Sequence, residues 1–235
     1  VKDHQTKAEF ERIYFYHIRK AGGQSIYHAI LEKLCGVDSF TIENWLTRAN
    51  IMFCDGKPII GWDDKQINRG DFYFAFSHHA MHELLPMPDD TFAFTCFRDP
   101  VPRVVSHYRM LKSFREMEIR GDVLKAEAQW AKDNFSEFLD NLPQRHLMNQ
   151  LWMFSAEYDP EEALENASKL SYFFFLDKFS VGLSKLSNLI GIELEEKHIM
   201  VSTSEFAMKP EEGERLQELL IPEYQFYEGL QELWK

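Results

Sequence analysis

The stretch "RIYFYHIRKAGGQSIYHAILEKLC", residues 12–35, constrains this chain more than any other. An apolar run rich in aromatic residues stops at a basic pair. Two glycines follow, and then Ile26, Ala29, Ile30 and Leu34 recur at helical spacing. The pattern predicts a strand, a tight turn and a helix over Ser25–Cys35. Three further short apolar runs, "DFYFAF", "TFAFTCF" and "SYFFFL", lack polar alternation, as expected of parallel strands covered on both faces. Helical patterns separate them: one from "RDP" to about Arg120, several to about residue 170, and "SVGLSKLSNLIGI" ending at Gly191. Strands alternating with helices predict an α/β fold with a central parallel sheet and a helical segment inserted between the third and fourth strands. Residues 40–70 read as irregular, with "CDGKP" as a turn, and the tail from Glu211 reads as helix broken at Pro222. With 235 residues, no repeats and no low-complexity linker, the expectation is one domain over 1–235.

Charge narrows the function. The net charge is −12, which counts against a non-specific nucleic-acid binder. Acids dominate from Glu193 onward, whereas the segment from Arg98 to Arg120 is basic. A local anion site on an acidic background is the expectation. No run approaches the roughly 18 apolar residues of a membrane helix, and "VKDHQTKAEFER" carries no apolar signal core. Cys35, Cys54 and Cys96 are odd in number and far apart, so they read as reduced thiols without metal spacing. The expected location is the cytoplasm, with a lumenal domain of an anchored enzyme as the alternative. Sequons at Asn134 and Asn166 keep that alternative open.

The turn "RKAGGQS" suits an anion. Amides at a helix start lack intrahelical partners, and the helix dipole favours negative charge there. Gly22 and Gly23 permit close approach of the backbone, Lys20 adds a charge and Ser25 a hydroxyl. The nucleotide P-loop, G-x-x-x-x-G-K-[ST], does not match, because Lys20 precedes both glycines and Gln24 precedes Ser25. A nucleotide-dependent, kinase-like phosphotransferase is therefore disfavoured and is kept as the alternative, beside a non-catalytic nucleotide-binding domain.

A second motif, "FAFTCFRDPVPRVVSHYRM", follows the third strand. Asp99 can cap a helix whose first turn accepts Pro100. Arg103 and Ser106 share a face, with Val101, Val104, Val105 and Tyr108 on the buried side. Arg98 at the strand end can meet Ser106 around one anionic group, a role suited to arginine.

Together the two motifs resemble the PAPS-dependent sulfotransferases, in particular the branch of carbohydrate O-sulfotransferases that includes heparan sulfate 2-O-sulfotransferase. That branch carries a "HIPKTAGTS"-like loop and a "RDPxxRxxSxY" motif. Here the first is His17-Ile18-Arg19-Lys20-Ala21-Gly22-Gly23-Gln24-Ser25, and the second is complete from Arg98 to Tyr108. "FFFLDKFSVGLSKLSNLIGI" is similar to a later family segment, with Asp177 for the usual Glu; "HIMVS" resembles an N-x-S stretch, with Met200 for the Asn.

The resemblance implies a P-loop-like three-layer fold and a PAPS donor (3′-phosphoadenosine 5′-phosphosulfate) released as PAP, with no metal. Residues Arg19, Lys20, Ala21, Gly22, Gly23, Gln24, Ser25 and Ile26 would hold the 5′-phosphosulfate; Arg98 and Ser106 would hold the 3′-phosphate. Lys20 would stabilise the departing phosphate. In "FSHHAMHEL", His78 takes the place of the family's catalytic histidine, and His79 takes it if the alignment slips by one; His82 is a weaker third, and Asp63, Asp64 and Glu83 are spare bases. Arg145, His146, Asn149 and Gln150 in "RHLMNQLWMF" fall where related enzymes contact the acceptor. That acceptor is a hydroxyl on a sugar, a small metabolite or a carrier-bound chain. No nucleic acid and no membrane contact are expected.

Overall fold

The computed structural model describes residues 10–46, 50–116, 122–197 and 206–234. The chain forms two compact units that interleave in sequence. The first takes in the chain up to His17, then Gly22–Cys96 and the stretch from Lys169; the second takes in Ile18–Ala21, Phe97–Ser168 and the C-terminal helices.

The first unit holds the sheet. In chain order its elements are β1 (Arg12–Tyr16), α1 (Gly23–Cys35), α2 (Ser39–Leu46), β2 (Ile51–Cys54), β3 (Lys57–Gly61), α3 (Asp64–Ile67), β4 (Phe74–Ser77), β5 (Thr91–Phe97) and, after the helical block, β6 (Tyr172–Phe175) and α10 (Phe179–Ile190). The strand order is β2-β3-β4-β1-β5-β6. β1 lies between β4 and β5, parallel to both, with Phe15 opposite Phe76 on one side and Phe94 on the other. Phe15 and Phe94 stack at 4.8 Å between centroids. This face buries Ile26 and Ile30 of α1 and Leu183 and Leu186 of α10, and each such side chain contributes about 1.5–3 kcal/mol. The opposite face is more polar: Tyr14, Tyr16, Ser77 and Thr95 are all buried. Tyr14 and Ser77 hydroxyls lie 2.7 Å apart, and the Thr95 hydroxyl donates to the Tyr16 carbonyl.

Two expectations need correction. Residues 40–70 are not irregular: β2 and β3 pair antiparallel about Asp55-Gly56. Both turn residues have positive φ (49° and 76°), the geometry of a tight hairpin. The strands are too short for their pattern to register, and β2, at the sheet edge, leaves Ile51 and Phe53 exposed. Cys35 and Cys54 are joined by a disulfide, with Cα atoms 4.9 Å apart. Their separation of 19 residues gave no hint, because the end of α1 meets β2 only in three dimensions. Cys96 lies outside the bridge and is buried.

The second unit is helical: α4 (Pro100–Glu116), α5 (Asp122–Ala128), α6 (Phe135–Asn141), α7 (Gln144–Leu147), α8 (Asn149–Phe154), α9 (Pro160–Ser168), α11 (Pro210–Leu219) and α12 (Ile221–Trp234). Phe97, Phe154 and Phe226 pack ring against ring, as do Tyr108, Phe135 and Phe138. The α/β class, the mostly parallel sheet and the helical block between β5 and β6 agree with the sequence pattern, as does Gly191 capping α10 at φ 69°. Arg120 and the "HIMVS" segment lie outside the described residues.

Candidate active site

In the second unit the site begins with two cations. Lys20 sits in the turn with φ 66°, a left-handed conformation that is rare for a residue with a side chain. Its ammonium meets the Met110 thioether at 3.5 Å, a weak acceptor. Burial, and secondarily the charge of Arg98, push Lys20 down to about 8. The Arg98 guanidinium donates to the Lys20 carbonyl at 3.0 Å. Two cations close together in a partly dry setting repel each other, and an anion would relieve that repulsion.

The neighbours of this pair are more committed than the sequence suggested. The Arg19 guanidinium pairs with Glu127 at 2.7 Å, and its amide donates to Asn149 Oδ1. Gln150 is 1% exposed. Its amide accepts from the Arg98 N–H and donates to the Arg98 carbonyl, both at 2.8 Å. The His146 ring is enclosed by Trp130 and His107, and burial with nearby arginines pushes it down to about 3. Arg145 is exposed.

Asp99 caps α4 by accepting from Val101 N–H, and it also accepts from the Tyr224 hydroxyl. Arg103 is fully buried. It donates to Glu223 at 3.2 Å and to the carbonyls of His146 and Leu147. Its place in the motif is that of an anchor within the helical unit. Ser106 is half-buried on α4.

In the first unit Gly22 precedes α1 at φ 79°, with no side chain capping the helix start. A Cβ at Gly22 would lie 2.6 Å from Leu176, and one at Gly23 would run into the His17 ring. Gly23 thus makes room for a histidine. The Ile26 amide closes the first helical bond to the Gly22 carbonyl, and its side chain lies in the core. Ser25 is buried; Gln24 is half-buried.

His78 follows β4. Its Nδ1 lies 2.6 Å from the His17 carbonyl. A carbonyl can only accept, so Nδ1 carries a proton, and in the neutral ring Nε2 then holds the lone pair. The ring is 4.4 Å from His17 and 4.6 Å from Trp62, centroid to centroid. Trp62 is itself at φ 64°. His79 instead approaches Glu83 at 3.6 Å, while its amide donates to Ser77. His82 is exposed. Asp63 caps α3, and Glu83 accepts from Ala80 N–H. Among the described residues no group of three His, Cys, Asp or Glu could hold a metal ion.

Comparison with known families bears directly on this geometry. A sequence model described as a sulfotransferase family matches residues 3–215. The chain belongs to the sulfotransferase family. The family's chemistry is sulfuryl transfer, so the protein is a transferase by membership. A search of curated proteins gives no match. The match stops short of α12, so Glu223 lies beyond it.

Sequence reasoning missed Trp62, Glu127 and Glu223. A left-handed tryptophan and two distant buried carboxylates leave no local pattern to find.

Proposed function

We propose that this sulfotransferase transfers the sulfuryl group of PAPS to a hydroxyl of a sugar, a small metabolite or a carrier-bound chain, with both units working as one domain over 1–235. The observation that carries the reading is the Lys20–Arg98 pair: an ammonium drawn away from water, beside a guanidinium, with a thioether for a neighbour. These residues fit a polyanionic donor. PAPS, when bound, supplies an activated sulfuryl group and leaves as PAP.

Lys20 and Arg98 would balance donor charge, and Lys20 would matter most as charge builds on the departing phosphate. The amides at the start of α1, with Ser25, suit the 5′-phosphate, and Ser106 with Arg98 the 3′-phosphate. His78 Nε2 would take the proton of the acceptor hydroxyl. The His17 carbonyl holds the tautomer that makes this possible. His79, directed toward Glu83, is the second choice.

The Cys35–Cys54 bridge supports an oxidising compartment over the cytoplasm; alkylation of the chain as recovered from cells distinguishes them. The central experiment is calorimetry with PAP without divalent metal, followed by an acceptor panel with radiolabelled PAPS. PAP binding and label transfer to a hydroxyl are expected. Binding of ATP–Mg²⁺ in place of PAP would favour the kinase-like alternative.

A further inference from the structure

We propose that Asn149 and Gln150 are positioning residues, two consecutive side chains of α8 that tie the backbone of the Arg19–Lys20 turn to that of Arg98 and so set the spacing of the two donor-binding cations. The inference rests on the reading of Lys20 and Arg98 as the donor site.

The tie is a closed circuit inside the second unit. Asn149 Oδ1 accepts from Arg19 N–H at 3.0 Å, and its Nδ2 donates to the Arg145 carbonyl. Gln150 grips Arg98 from both sides of its peptide, Oε1 to N–H and Nε2 to carbonyl. The Arg98 guanidinium returns to the Lys20 carbonyl and closes the circuit. Asn149 and Gln150 are 3% and 1% exposed, so neither bond competes with bulk water.

A buried anchor stands behind the clamp. Gln150 Nε2 also donates to Glu223 Oε1 at 3.0 Å, the same oxygen that Arg103 Nε reaches. Only a side chain that both donates and accepts can hold an N–H and a carbonyl together, so position 150 calls for an amide. Without an anion Lys20 and Arg98 repel, and a loose turn would let them separate. Holding them in place beforehand removes that reorganisation from the binding and transfer steps.

The experiment uses the full chain and PAP as probe. In the unaltered protein without PAP, hydrogen exchange at the Arg19 and Arg98 amides should be strongly slowed. Gln150→Met keeps length and removes both bonds to Arg98, together with the bond to Glu223. It should weaken PAP binding roughly 10- to 100-fold, measured well below its own melting temperature. It should also shift the alkaline fall in PAP affinity, set by Lys20, to higher pH as Arg98 relaxes. In an Arg98→Ala background the same substitution should cost less than threefold, because the clamp acts through Arg98. A purely structural residue would lower the melting temperature and leave the affinity and the pH profile of the folded protein in place, and that result overturns the proposal. Should Gln150→Met not fold, Asn149→Ala tests the other arm with the same readouts. Fast exchange at both amides in the unaltered chain overturns the clamp whatever the variants do. Failure of the unaltered chain to bind PAP, with both amides protected, would instead overturn the donor reading.

Discussion

Arg103→Met tests whether the second arginine of the "RDPVPRVVSHY" motif is a ligand or an anchor. Arg103 is completely buried and donates to Glu223, which is equally buried, and to two main-chain carbonyls. Methionine fills much of the volume but leaves the Glu223 carboxylate without its cation. Breaking one side of a buried ion pair costs about 3–5 kcal/mol. Burial already raises the Glu223 pKa, with Arg103 the main opposing influence. Without that cation burial drives Glu223 further toward its neutral, protonated form, which limits the loss to the lower end. For a chain of this size a melting temperature lower by roughly 10 °C is expected. Adding Glu223→Gln removes the stranded charge and should recover part of the loss. The assays are thermal and urea unfolding, with PAP calorimetry far below the transition. Binding within about threefold of the unaltered chain is expected for Arg103→Met, since its Gln150–Glu223 bond is intact. A melting temperature within 2 °C of the parent, combined with lost PAP binding, would refute the anchor and make Arg103 a ligand.

Three other outcomes follow from the same geometry. Arg98→Ala should weaken PAP binding by roughly 1.5–3 kcal/mol, whereas Lys20→Ala should mainly lower turnover; unchanged turnover in Lys20→Ala contradicts its role. His78→Ala should reduce turnover by roughly 10²–10⁴ with PAP affinity kept, and His79→Ala should do less; the reverse order would move the base to His79. The rings of His107 and His146 are held neutral by burial, His146 down to about 3, with nearby arginines adding to the effect. Unfolded, they take up protons below about 6.5, so stability is fully present above that pH and falls as pH drops, by up to ~1.4 kcal/mol per pH unit for each. Urea unfolding between pH 7 and 5 measures the slope, and His146→Phe should flatten it; a slope unchanged by that substitution removes His146 from the account.

The sequence alone determined the elements whose cause is local. Short aromatic-rich apolar runs without alternation, set between helical patterns, read as covered strands. A basic pair and two glycines between strand and helix read as a tight turn. Capping signals at Asp99 and Gly191 act on the chain beside them. Lys20 and Arg98 could be singled out as candidates for the same reason, since each lies in the turn that follows a strand. Tertiary structure alone decided what each side chain spends its hydrogen bonds on. Arg103 shares a helix face with Ser106 by its spacing, but only the fold shows that Glu223, 120 residues away, takes its charge. Gln150 reads as an acceptor contact from its segment, and only the fold shows its amide on the Arg98 backbone. Gly23 reads as a gap for an anion until the His17 ring is found in the space a Cβ would fill. Burial makes a polar group find a partner wherever the fold places one, and distance along the chain carries no record of that choice.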